Sequence, residues 1–186
     1  QVLKEPGKAA QTKSYMWVQR GGPPDSPIIL FDYEPSRRSE VPERLLEGFQ
    51  GYLHTDGYEG YNAACKQEGI TQIGCWAHAR RKFDEAIQAQ NTKNKKGKNN
   101  SGSQGSKATK GFNFIRKLYL IEKTYQDNSE KQRYQARQEK AKPILDEMRT
   151  WLDQSIPQIN PQSATGRALH YLNNQWDKLI RYTENG

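Results

Sequence analysis

His54-Thr55-Asp56-Gly57-Tyr58-Glu59-Gly60-Tyr61, followed by Cys75-Trp76-Ala77-His78-Ala79-Arg80-Arg81-Lys82-Phe83, is the part of the chain that decides its fold class. Residues 52–55 read as a short strand that carries Asp56 to its C-terminal edge. Residues 70–75 alternate Ile70, Gln72 and Gly74 against Thr71, Ile73 and Cys75, the period of a second strand. The helix that follows has Trp76, Ala79, Phe83 and Ile87 on one face. An acid at the end of an apolar run is where an α/β fold presents a metal ligand, and the basic, aromatic helix start suits phosphate contact. Together these features point to nucleic-acid chemistry.

Toward the N-terminus, residues 15–20 have β-favouring Tyr, Trp and Val, and Gly21-Gly22-Pro23-Pro24-Asp25 turns the chain. Residues 28–33 are then nearly continuously apolar. The pattern predicts a hairpin whose second strand is buried on both faces. Ser39 is placed to cap a short helix, with Glu40 in its first turn, Pro42 early enough to be tolerated, and Val41, Leu45, Leu46 and Phe49 on one face. The order reads strand, strand, helix, strand, short helix, strand, helix.

Toward the C-terminus, residues 91–111 are a run of Asn, Lys, Gly and Ser without hydrophobic period, expected as a disordered basic loop. Three helical patterns follow: Phe114, Ile115, Leu118, Ile121 and Tyr125; Ile144, Leu145, Met148, Trp151 and Leu152; Leu169, Leu172, Trp176, Leu179 and Ile180. Pro143 should start or kink the second, and Ser163 can cap the third. Trp151 and Trp176 lie on the apolar stripes of their own helices, which makes them core residues before ligand contacts. The domain reading is a core over 1–90, a loop over 91–111 and a helical part over 112–186.

A chain of 186 residues can bury a sizeable core. Yet 33% apolar residues and a mean hydropathy of -1.07 are low for a compact globule. The net charge of +8 is local: residues 76–117 hold eleven Lys/Arg against Asp84 and Glu85, which is +9 and leaves about -1 elsewhere. Such a patch suits a polyanion. No run of about eighteen apolar residues is present, so no membrane partner is expected. Cys65 and Cys75 form no disulfide framework, and a reduced, cytoplasmic protein is expected. Beginning at Gln1 without an initiator Met, the chain reads as a piece of a longer protein.

An Asp at a central strand end, joined by a second acid on a neighbouring strand and a third on a helix, can hold two divalent ions about 3.5–4 Å apart for in-line attack on a phosphodiester. Carboxylates suit magnesium because it is a hard cation that takes oxygen ligands. Asp32, Glu34 and Glu184 are rival acids; Glu184 is most simply a solvated residue. Cys75 and His78 are half a zinc site, with Cys65, His54 and His170 as further candidates. The favoured reading packs Cys75 in the core and hydrogen-bonds His78 nearby.

Thr55-Asp56-Gly57-Tyr58 with Tyr61-Asn62, the 75–83 stretch, Arg137-Gln138 ahead of Pro143, Trp151-Leu152, and Ala168-Leu169 with Tyr171 and Gln175-Trp176 resemble the insertion sequence 66 family of bacterial transposases. The resemblance runs in order over nearly the whole chain. It implies an α/β, ribonuclease-H-like mixed sheet with flanking helices, followed by a mainly helical insertion. It also implies a catalytic triad of two Asp and one Glu in which Asp56 is the second Asp and a metal ligand. The first Asp and the Glu belong to Asp-Glu-Thr and Asn-Asn-x-x-Glu segments not found in these residues, so the chain alone is expected to be inactive. The counterpart of Asp32 is not a ligand in that family.

Further expectations from the resemblance are Mg²⁺ or Mn²⁺ as cofactor and DNA, both transposon ends and target, as partner. Assembly of copies on DNA is also expected. Cys75 and His78 would support the active site, and Arg80, Arg81, Lys82 and Arg37 would contact DNA, with Arg38 a weaker candidate. Lysines 93, 95, 96 and 98 would add salt-sensitive, sequence-independent affinity at most. Two rivals stand beside this reading. One is a non-enzymatic DNA-binding module, whose binding would survive loss of Asp56; the other is a nuclease of the same fold, which would cut and never join.

Overall fold

The computed structural model describes residues 6–9, 12–23, 25–96 and 105–186. They divide into two compact units, one of Gln1–Gly51 with Tyr58–Thr71 and one of Tyr52–Gly57 with Gln72–Gly186.

In the smaller unit, β1 (Tyr15–Gly21) and β2 (Ile28–Glu34) pair antiparallel, with Tyr15 opposite Glu34 and Gly21 opposite Ile28. Gly22 makes the turn at φ +82°, where a Cβ would stand 2.9 Å from the Ser26 carbonyl oxygen. Trp17 is the buried residue of β1 and meets Tyr61 edge-on at 5.8 Å and Tyr58 at 6.5 Å. The expectation that β2 is buried on both faces is overturned. Ile28, Ile29, Leu30 and Phe31 are each at least half exposed, as is Val18 opposite Phe31. Four apolar residues in a row are buried only where layers cover both faces, and no third strand pairs with this hairpin among the described residues.

Helix α1 (Glu40–Leu45) follows as expected, with Val41, Pro42 and Leu46 buried. Ser39 precedes it in helical geometry and makes no side-chain cap, and Phe49 lies beyond the helix and is exposed. The short α2 (Tyr61–Ala64) buries Ala64.

The second sheet pairs β3 (Gly51–Thr55) with β4 (Ile70–Gly74), and residues 52–55 and 72–74 belong to the larger unit. The expected single mixed sheet is thus observed as two two-stranded sheets among the described residues, because no strand bonds to both pairs. From β4 the chain enters α3 (Trp76–Lys96), which packs on α4 (Lys107–Thr124) and α7 (Ala164–Asn174). Residues 91–96 and 107–111, expected in a disordered loop, are therefore helical; 97–104 lie outside the described residues. Without Gly or Pro before Gly97, nothing stops α3 at Gln90. Ser106 starts α4 by accepting from the Thr109 amide at 3.2 Å.

One helix had no apolar pattern to announce it. Helix α5 (Glu130–Ala136) is opened by a capping box in which the Ser129 and Gln132 side chains bond each other's backbone amides. It runs through a π-helical turn (Arg137–Ala141) into α6 (Lys142–Ser155). Pro143 cannot donate to the preceding turn, and its ring crowds the carbonyl four residues back; the widened turn just before it absorbs both effects. A 3₁₀ turn (Ile156–Gln158) leads to α7, capped by Ser163 on the Gly166 amide at 2.9 Å, then to α8 (Trp176–Ile180) and a last 3₁₀ turn (Arg181–Glu184). Phe83, Phe114, Ile115, Met148, Trp151, Leu169 and Trp176 are part of one continuous core, with Trp151 and Trp176 where the helical periods put them.

Candidate functional site

Strand β3 ends at Thr55, a buried residue whose Oγ1 accepts from Gln72 Nε2 on β4 at 2.9 Å. That bond ties the two strands together immediately before Asp56. Asp56 itself is exposed, and Gly57 turns the backbone away at φ +84°. Tyr171 Oη on α7 donates to the Asp56 carbonyl oxygen at 3.1 Å. The Gln175 carboxamide lies over Gly57, so close that a Cβ there would meet its Cδ at 3.1 Å. Burial pushes the Tyr171 hydroxyl up to about 12; Cys75 and Asp56 add to the shift electrostatically and Arg81 opposes it. Cys75, Asp56 and Arg81 thus each lie near enough to act on the Tyr171 hydroxyl.

Cys75 is a half-buried free thiol whose carbonyl accepts from the His78 and Ala79 amides, so the Cys-x-x-His pair forms the first turn of α3. His78 Nδ1 is buried without a protein hydrogen-bond partner. His54 Nε2 donates to the Gly74 carbonyl at 3.0 Å. Among the described residues no three His, Cys, Asp or Glu side chains gather where they could hold a metal ion. Asp56 offers a hard oxygen of the kind magnesium takes, and alone it does not make a site.

The basic run divides by helical rotation. Arg80 turns to α4, its guanidinium 5.2 Å from the Phe112 ring centre and 5.7 Å from that of Tyr119. Arg81, exposed and about 100° further round, is the one whose charge reaches Tyr171. Lys82 is exposed. In the smaller unit, Arg37 stacks 3.8 Å from the Tyr58 ring centre and 5.7 Å from that of Tyr15, while its carbonyl accepts from Tyr58 Oη. Asp32 and Glu34 are both paired with Arg44, at 3.1 and 2.5 Å. Glu184 is exposed in the last 3₁₀ turn.

A cavity of about 500 Å³ opens in the larger unit beside β3 and β4, lined by Tyr52, His54, Trp76, Tyr119 and Tyr182 among others. Arg137 closes one side. It bonds Glu122 at 2.9 and 2.6 Å and the carbonyls of Tyr182 and Asn185 at 3.1 and 2.5 Å. Gln138 adds a bond to the Thr183 carbonyl at 2.6 Å. The Arg137-Gln138 pair quoted in the sequence therefore fastens the final turn, a role spacing could not disclose. Tyr171 and Gln175 are likewise in quoted motifs, and their partners lie more than a hundred residues away.

Comparison with known proteins agrees with the motifs. The sequence profile of the transposase IS66 family matches residues 1–186. The uncharacterised protein y4hP of Sinorhizobium fredii is 31% identical over 86% of this chain and 30% of its own length. From the same organism, y4qI is 25% identical over 97% of this chain and 33% of its own length. The chain spans about a third of the length of these curated relatives. No solved structure matches it.

Proposed function

Because the chain belongs to the transposase IS66 family, we propose that it is part of the catalytic domain of a DNA transposase, with Asp56 as one metal ligand of the strand-cleavage site. The observation that carries this reading is an exposed carboxylate at the end of β3 on a backbone held from α7. In the complete protein Asp56 joins two further acids, in a ribonuclease-H-like arrangement, to hold Mg²⁺ or Mn²⁺. When bound, those ions supply charge neutralisation at the scissile phosphate and a reactive oxygen nucleophile. Arg81 and Lys82 meet the phosphate backbone beside the carboxylate, and Arg37 and Arg80 meet it with guanidinium planes already stacked on aromatic rings. Cys75 and His78 support the turn into α3. Copies assemble on paired transposon ends.

The test is cleavage and joining of DNA carrying the element's ends by the complete protein and its Asp56→Asn variant. Activity in the first and none in the second is expected. Equal activity in both removes Asp56 from the site. Metal-independent DNA binding by both with no reaction by either favours the binding-module reading, and cutting without joining favours the nuclease.

A further inference from the structure

An Asp-Gly step at a strand end is a poor platform for a metal ligand. Gly57 carries φ +84° and brings glycine's conformational freedom to the residue next to the carboxylate. A functional carboxylate must nonetheless be held to within about 0.5 Å. Two side chains of one helix end meet this need. Tyr171 Oη donates to the Asp56 carbonyl at 3.1 Å. Gln175 accepts backbone bonds from Lys178 and Leu179 at 3.1 and 2.8 Å, so its main chain is the junction of α7 and α8, and its carboxamide covers Gly57. Its Oε1 is buried and has no protein partner, although buried amide oxygens are nearly always paired. That is a costly position for a residue with only a packing role.

We propose that Tyr171 and Gln175 are positioning residues of the strand-cleavage site, the hydroxyl holding the Asp56 carbonyl and the carboxamide closing over Gly57. The Asp56 side chain then enters the metal site from a fixed backbone. The two reach successive residues, 56 and 57, from one turn of helix, which makes the hold a clamp and not a single tether. Glycine is required at 57 twice over, by its φ and because a Cβ would strike the carboxamide. This inference rests on the reading of Asp56 as a metal ligand.

The experiment measures, in the complete transposase, the divalent-ion concentration for half-maximal cleavage, together with DNA affinity and melting temperature, for Tyr171→Phe, Gln175→Asn and Asp56→Asn. Both positioning variants should need roughly tenfold more Mg²⁺, the scale seen when groups behind a metal ligand are removed, with DNA affinity unchanged and melting temperature lowered by no more than about 2–4 °C. The requirement for Mn²⁺ should rise less, since Mg²⁺ is the ion that demands near-ideal octahedral geometry. In the 186-residue chain itself, Tyr171→Phe should speed amide exchange over residues 56–58 by about fivefold, and not elsewhere. An active Asp56→Asn variant would sink the reading of Asp56. An inactive one, with unchanged ion requirements in the other two, would leave that reading standing and overturn the clamp. A loss of activity that follows melting temperature or DNA affinity also overturns it.

Discussion

Gly111→Ala is the substitution whose outcome the packing fixes most sharply. Gly111 is a buried residue of α4, and in an exposed helix the change would stabilise by about 1 kcal/mol. Here a Cβ would stand 2.3, 2.7 and 2.8 Å from three atoms of the Phe83 ring on α3. Those distances fall roughly 1 Å short of the 3.5–4.0 Å at which carbons attract. Phe83 is fully buried and lies against Trp151 at 6.4 Å between ring centres, so the ring cannot swing into solvent. Overpacking of a rigid core costs about 1–3 kcal/mol, and three overlapping ring atoms place this case at the upper end. Subtracting the helix gain leaves about 2 kcal/mol of destabilisation, a fall in melting temperature of about 4–8 °C. Urea denaturation measures it directly. Repeating the substitution in a Phe83→Leu background should recover at least about 1 kcal/mol, since residues in contact couple. A Gly111→Ala chain as stable as its parent, or more so, would refute the close approach of α3 and α4.

Arg137→Met should cost about 2–3 kcal/mol in urea denaturation. This lies below the range for a fully buried pair because the Glu122 side chain is 36% exposed, and a loss under about 1 kcal/mol would count against the clamp on the last turn. Tyr182 is partly buried near Glu122, and that burial first, then the Glu122 charge, raises its pKa above the ordinary 10. The folded chain therefore keeps a proton that the unfolded chain loses above pH 10, so stability contributed below pH 10 declines by up to about 1.4 kcal/mol per pH unit above it. Tyr182→Phe should flatten that alkaline decline in melting curves from pH 9 to 11, and an unchanged slope would be the contrary result. The uncovered face of the hairpin should drive self-association at high concentration, weakened by Phe31→Lys; light scattering that shows a monomer throughout would count against it.

Strands β1 to β4 were legible from β-favouring residues, a continuous apolar run in β2 and alternation in β4, and the cores of α3, α4, α6 and α7 from apolar residues repeating at three and four. Helix α5 was not, since Glu130–Ala136 buries only Ala136 and its one local signal is the Ser129 and Gln132 capping pair. The exposure of Ile28 to Phe31 was misread because apolarity states what a strand could bury, not whether anything covers it. Asp56 stood out through its resemblance, and composition alone gives it no mark above Asp32. The contacts of Tyr171 and Gln175 were invisible for a simpler reason: a contact spanning 115 residues leaves no local pattern.

The bond from Tyr171 reaches the main-chain oxygen at position 56, an atom every amino acid possesses. What α7 recognises there is a location along the chain and not a chemical identity. Removing the carboxylate leaves that anchorage whole, so an Asp56→Asn chain should fold and melt as its parent does. A folding screen would not register that substitution. The fold holds this residue by its main chain and leaves its side chain exposed to solvent.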